Sequence, residues 1–188
     1  MQYTLEQITK TLLSRTPYPS LLAPPPSDPS KRVSSTPWNQ TIHDDLLQLQ
    51  KNPSIPVFTI ASLHLINDDI GSCHDIVEKN MGHGIADYLH YLLHRREGDY
   101  WNAKWWIRQL KSQEFKSVYL SEKYNAFSDQ KNVDNLSNSA QLAEAHKRAQ
   151  TFVDRCEQAE RQENEEEKDL LKQMQWDEMK IVFEFTGK

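Results

Sequence analysis

At 188 residues and 22.0 kDa the chain has room for one ordinary domain; 37% of its residues are hydrophobic and 26% charged, and five Trp, seven Tyr and six Phe can close a core. The net charge of −5 resides in 157–188, where ten acidic side chains face five basic ones, and an acidic chain is a poor candidate for nucleic-acid binding, which rests on neutralising phosphates. No apolar run reaches the roughly 18–20 residues of a membrane helix, and the first turns lack the apolar core of a secretory signal, so the expected setting is intracellular, cytoplasmic or nuclear.

The chain opens with a short predicted helix from Thr4 to Ser14, for which Thr4 and Gln7 form a capping box. Pro17, Pro19, Pro24, Pro25, Pro26, Pro29 and Pro37 then forbid regular structure. Leu21 and Leu22 favour laying Tyr18–Ala23 across the domain as a strap. Residues 1–40 therefore read as an N-terminal helix and strap, and 41–188 as a single helical domain. Ile42, Leu46, Leu47 and Leu49 recur at helical spacing until Pro53 and Pro56 end the element. Further helices are expected at Val57–Asn67, Ser72–Lys79, Ile85–Arg96, which stops at Gly98, and Trp101–Lys111. The Ser- and Asn-rich stretch 112–138 reads as a loop with one helical turn. From about 139 a long helix carries an apolar stripe through Leu142, Ala145, Ala149, Phe152, Val153, Cys156 and Ala159. Ile181, Phe183 and Phe185 alternate with other residues and suggest a short strand or a packed tail.

An internal echo lies within this array. Asp69-Ile70-x-x-Cys73 matches Asp99-Tyr100-x-x-Ala103, and the same offset pairs Leu63 with Leu93 and His64 with His94. An acidic cap, an apolar plug and a small residue at the contact are what an antiparallel helix pair needs. Gly98-Asp99-Tyr100 followed by Ala103 resembles the turn of a tetratricopeptide (TPR) hairpin over Ala86–Leu110. The resemblance implies an all-α, TPR-like array of antiparallel hairpins. The run His90-x-x-x-His94-Arg95-Arg96-Glu97-Gly98-Asp99-Tyr100-x-Asn102-Ala103 is also similar to one in a poorly described group of small fungal and bacterial proteins, which implies that the run is functional.

Chemistry concentrates in the same place. On an ideal helix His83, Asp87, His90, His94 and Glu97 share one face, opposite Ile85, Leu89, Leu92 and Leu93. Two histidines four residues apart, His90 and His94, can hold a divalent metal such as zinc, with Asp87 or Glu97 completing the set. Arg95 and Arg96, oriented by Glu97 and Asp99, would form a guanidinium clamp for a carboxylate or phosphate, or else tie the hairpin together. Trp101 and Trp105 lie one turn apart, and an indole beside His90 or His94 could line a groove. Two cysteines, Cys73 and Cys156, supply neither a disulfide framework nor a Cys-based zinc site. No nucleophile elbow or Gly-rich phosphate loop occurs.

The leading expectation is a non-catalytic helical binding module without a cofactor. It would recognise an acidic peptide or small anionic ligand through His90, His94, Arg95, Arg96, Glu97, Trp101 and Trp105. The alternative is a small metal-dependent or acid–base enzyme, with His90 and His94 joined by His64 or His74. Homo-oligomerisation through the C-terminal stripe is a third possibility.

Overall fold

A computed structural model describes residues 2–25, 36–130, 132–162 and 164–187, and every regular element among them is helical. The first helix, α1 (Leu5–Leu13), starts on the expected capping box, in which Gln7 N–H donates to Thr4 Oγ1 (3.3 Å) and Thr4 N–H donates to Gln7 Oε1 (2.9 Å). It buries Ile8 and Leu12 in the common core and packs on α2 (Gln40–Leu49) and α3 (Val57–Ile66).

Between α1 and α2 the chain crosses the body as a strap. Leu21 is buried, Ala23 N–H donates to Arg96 O at 2.7 Å, and the Gln175 amide donates to Ser20 O and Leu21 O at 3.1 and 3.2 Å. Pro26 and Pro29 of the proline-rich run lie outside the described residues.

The middle of the chain consists of two hairpins, α3 with α4 (Ile70–Glu78) and α5 (Gly84–Glu97) with α6 (Tyr100–Ile107), while α4 also packs on α5. The sequence echo reappears as matching turns. Asp69 N–H donates to His64 O at 2.9 Å and Asp99 N–H to His94 O at 3.0 Å. Each aspartate then caps its helix by accepting the N–H three residues on, from Ser72 at 3.3 Å and Asn102 at 3.1 Å. Asp68 and Gly98 occupy the equivalent left-handed position, at φ 62° and 77°. Cys73 and Ala103, both fully buried, let the paired helices approach closely.

The stretch expected to be mostly loop contains α7 (Gln113–Tyr119) and a 3₁₀ segment, Glu122–Phe127. Phe115, Val118 and Tyr119 put a helical apolar face on the core, and Ser112 caps it by accepting Phe115 N–H at 3.1 Å. Two long helices, α8 (Asn138–Gln162) and α9 (Glu165–Phe185), pack on each other and close the body. The expected strand or tail at 181–185 is the last turn of α9. Leu171, Gln175, Glu178 and Val182 set a period of three to four that the local alternation of apolar residues obscures. The α8 stripe packs against α6, α7 and α9 within the chain, so Ala145, Ala149, Phe152, Val153 and Cys156 are buried and leave no such stripe for a second copy.

Candidate functional site

The helix α5 is central. It packs on α3, α4, α6 and α9, and its residues from Ala86 to Arg96 are all buried. Of the polar stripe seen in the sequence, Asp87, His90 and His94 are therefore buried, while His83 and Glu97 stay exposed at its two ends.

Arg95 and Arg96 turn away from the histidines, and the expected clamp for an external anion does not form. Arg95 enters the core between α5 and α9. Its Nη2 donates to Glu178 Oε2 at 2.7 Å, its Nε to Gln175 Oε1 at 3.1 Å, and its Nη1 to the hydroxyls of Tyr91 and Tyr119. Glu178 Oε1 accepts the hydroxyls of Tyr88 at 3.0 Å and Tyr119 at 2.8 Å. Burial works against the guanidinium charge, but Glu178 together with Tyr91, Tyr119 and Cys156 outweighs it and holds the Arg95 pKa well above its ordinary value. Arg96 donates to Leu65 O at 2.8 Å and to Asp68 Oδ1 at 2.5 Å, while Arg15 Nη2 donates to Asp68 Oδ2 at 2.9 Å. Both α5 arginines are at most 1% exposed, and their terminal guanidinium nitrogens are all bonded inside the chain, while Arg96 Nε is buried without a partner. The tie that forms reaches α3 and α9 rather than the carboxylates of the local turn.

His90 and His94, by contrast, meet His74 of α4. One ligand nitrogen from each lies within 4.8 Å of the others. The ring centroids are 5.3 Å (His74–His90), 5.6 Å (His74–His94) and 5.9 Å (His90–His94) apart. Imidazoles bound to one tetrahedral zinc through bonds of about 2.0–2.1 Å place their centroids roughly 5 Å apart, so the three rings already stand near that spacing.

Two of the rings are held by outer neighbours. Trp106 stacks on His90 with centroids 4.0 Å apart and planes 2° from parallel. Glu97 Oε2 lies 2.9 Å from His94 Nδ1 and accepts its proton, which leaves the Nε2 lone pair to receive the Asn102 amide at 3.2 Å. Glu78 Oε2 stands 3.7 Å from His74 Nδ1. Burial first, then the charges of His74 and His94, push the His90 pKa down to about 3. Its ring is therefore neutral at physiological pH, the form that binds metals. His90 Nδ1 is buried without a hydrogen-bond partner.

The rings floor a groove of about 300 Å³ whose other lining residues are Glu78, Met81, Trp101, Asn102, Trp105 and Trp106. Trp101 is 74% exposed, Met81 62% and Trp105 38%. Trp101 and Trp105 thus line the groove with the histidines, and Glu97 reaches it only through His94. Asp87 does not join the metal set: its Oδ1 accepts Gly82 N–H at 2.9 Å and closes the turn before α5. His83 stays at the helix start, where Nδ1 accepts Ile85 N–H at 3.3 Å. Trp106, Asn102, Glu78 and Met81 were absent from the sequence-based site. The first two follow once α6 is folded back on α5, and Glu78 follows from its position one turn after His74.

A second cluster joins α2, α3 and α4. Asp69 Oδ2 accepts from Nδ1 of His43 at 2.5 Å and of His64 at 2.7 Å. Burial raises the Asp69 pKa, but the hydrogen bond and charge of His64, then the bonds from His43 and Ser72, overcome it and hold the group at about 2. His64 thus belongs to this interior tie and not to the groove. Burial drives the Cys73 thiol well above its ordinary pKa, with Asp69 and Glu97 adding to the effect, so it is an inert packing residue. No helix among the described residues is long and apolar enough to cross a membrane. No family model matches the chain, and no curated protein or solved structure proves similar to it.

Proposed function

We propose that this is a metal-binding protein that holds one divalent first-row cation, zinc by preference, through His74, His90 and His94 on the floor of an aromatic groove. The observation that carries the reading is the convergence of three imidazoles from two helices, with Trp106 stacked on His90 and Glu97 bonded to His94. Metal-binding histidines are ordinarily positioned by such outer contacts, typically a carboxylate on the second nitrogen, as Glu97 does for His94. A nitrogen-only donor set suits zinc, copper, nickel or iron rather than calcium or magnesium. Three protein donors are also the usual number where a metal keeps a place for a substrate or water. The helical hairpins supply the frame, as the TPR resemblance implies, but the recognition chemistry in this reading belongs to imidazole and indole rather than to guanidinium.

Metal analysis of full-length protein prepared without a histidine tag tests the reading. One equivalent of a first-row metal is expected, falling below about a tenth in His94→Ala and His74→Ala, with helical circular dichroism preserved. Wild-type protein that is metal-free and takes up neither Zn²⁺ nor Co²⁺ at micromolar concentration would refute it.

A further inference from the structure

Resting on that metal reading, we infer that the groove binds a small aromatic carboxylate, whose oxygen completes the coordination of the metal while its ring lies between Trp101, Trp105 and Met81.

The first argument is donor number. His74, His90 and His94 form the cluster, and no other His, Cys, Asp or Glu among the described residues joins it at ligand distance. A tetrahedral ion so held has one position left. His74, His90 and His94 all line the groove, so that position is reached from it.

The second argument is charge. The groove is lined by His74, Glu78, Met81, His90, His94 and the residues of α6 named above, with neither lysine nor arginine among them. Arg95 and Arg96, next to His94 in sequence, are buried against Glu178 and Asp68, and Lys104, next to Trp105, pairs with Glu157. An anion entering here would therefore find one attractive centre, the metal. The neutral imidazoles contribute no negative charge to the metal, which favours a negatively charged donor over a neutral one, and Glu78 is the one carboxylate in the lining that competes for that role.

The third argument concerns the walls. Trp101 at 74% exposed and Met81 at 62% are large apolar side chains left in water beside the cluster, with Trp105 at 38% between α6 and solvent. Core packing does not account for them. A flat apolar body stacked on the indoles would remove that surface from water, and a groove of about 300 Å³ lies at the small end of ligand sites, suited to one or two fused rings. Asn102, released from His94 Nε2 once a metal takes that lone pair, is placed to donate to the second carboxylate oxygen.

The test uses full-length protein loaded with Co²⁺, whose visible bands report the coordination sphere. It is titrated with 2-naphthoate, acetate and neutral 2-naphthalenemethanol. The expected result is a band shift with 2-naphthoate at an affinity at least about tenfold above that of acetate, the margin that burying an aromatic ring supports, together with quenching of tryptophan fluorescence. The alcohol should leave the bands in place. Trp101→Ala, at a mostly exposed position that does not endanger folding, should keep the unliganded Co²⁺ spectrum and lose the preference for the aromatic acid.

Co²⁺ bands that form but move with no acid at millimolar concentration would overturn the inference and leave the metal reading standing, as expected if Glu78 closes the site. Equal affinity for acetate and 2-naphthoate would overturn the role of the aromatic walls. Failure to form Co²⁺ bands at all would remove the metal reading itself.

Discussion

Replacing Glu178 by Gln should destabilise the protein more than most single substitutions far from the groove. Glu178 is 1% exposed and receives Arg95 Nη2 at 2.7 Å and the hydroxyls of Tyr88 and Tyr119 at 3.0 and 2.8 Å. Glutamine keeps the volume, but it removes the only carboxylate bonded to Arg95 among the described contacts. It also leaves the ring of hydroxyls organised around a charge that is gone. Breaking a buried pair from one side costs about 3–5 kcal/mol, because the remaining ion stays desolvated. For a chain of this length that lowers Tm on the order of 10 °C. Urea unfolding followed by circular dichroism measures it directly. The double variant Arg95→Met, Glu178→Gln provides the control: removing the stranded guanidinium should recover part of the loss, so that the double variant is less destabilised than the sum of the singles. A Glu178→Gln loss below about 1 kcal/mol, or strict additivity in the cycle, would refute the view that charge compensation anchors α5 to α9.

Three further outcomes are expected. Asp69 titrates at about 2 in the fold against 3.8 unperturbed, so it contributes about 2 kcal/mol that is complete above pH 4 and lost as pH falls through about 2; in Asp69→Asn, stability measured by urea titration should decline less over that window. Gly98→Ala should cost about 1–2 kcal/mol, since φ is 77° and the added Cβ would stand 3.3 Å from Leu22 Cδ2 of the strap. Gly82→Ala, at φ 87° but with nothing within 4 Å of its Cβ, should cost less, and equal midpoints for the two would show that the strap contact contributes nothing. Zinc at about a hundred times its Kd should raise Tm by roughly 5–10 °C in the wild type and leave His94→Ala unmoved in the same scan.

The helical fold was readable because its signals are local. Thr4 and Gln7 announce a capping box, Gly98 a left-handed stop, and the echo between Asp69 and Asp99 announces two hairpins with the same turn. What local patterns do not carry is which side of a helix meets what. The periodicity of α5 separates His90 and His94 from Leu89, Leu92 and Leu93, yet Arg95 and Arg96 look like surface residues until their partners, eighty-three and twenty-eight positions away, are in place. The third histidine had the same difficulty. His74 stood beside His64 as an equal candidate, and only the packing of α4 on α5 separates them, since His64 turns instead to Asp69. Asp87 was legible as an ionisable neighbour of His90 but not as the residue that closes the Gly82 turn, a role set by a glycine conformation. The C-terminal alternation misled because five residues cannot distinguish a strand from the end of a helix whose period was set earlier, at Leu171 and Gln175.

The placement of α5 has one more consequence. The same rod presents His90 and His94 to the groove and sends Arg95 and Arg96 into two separate ion pairs behind it. Any turn of this helix that widened the mouth would pull a guanidinium from its carboxylate. The part of the cleft floor that α5 supplies is therefore tied to the core on its far side, and the freest side chains around it are Trp101 and Met81 at the rim.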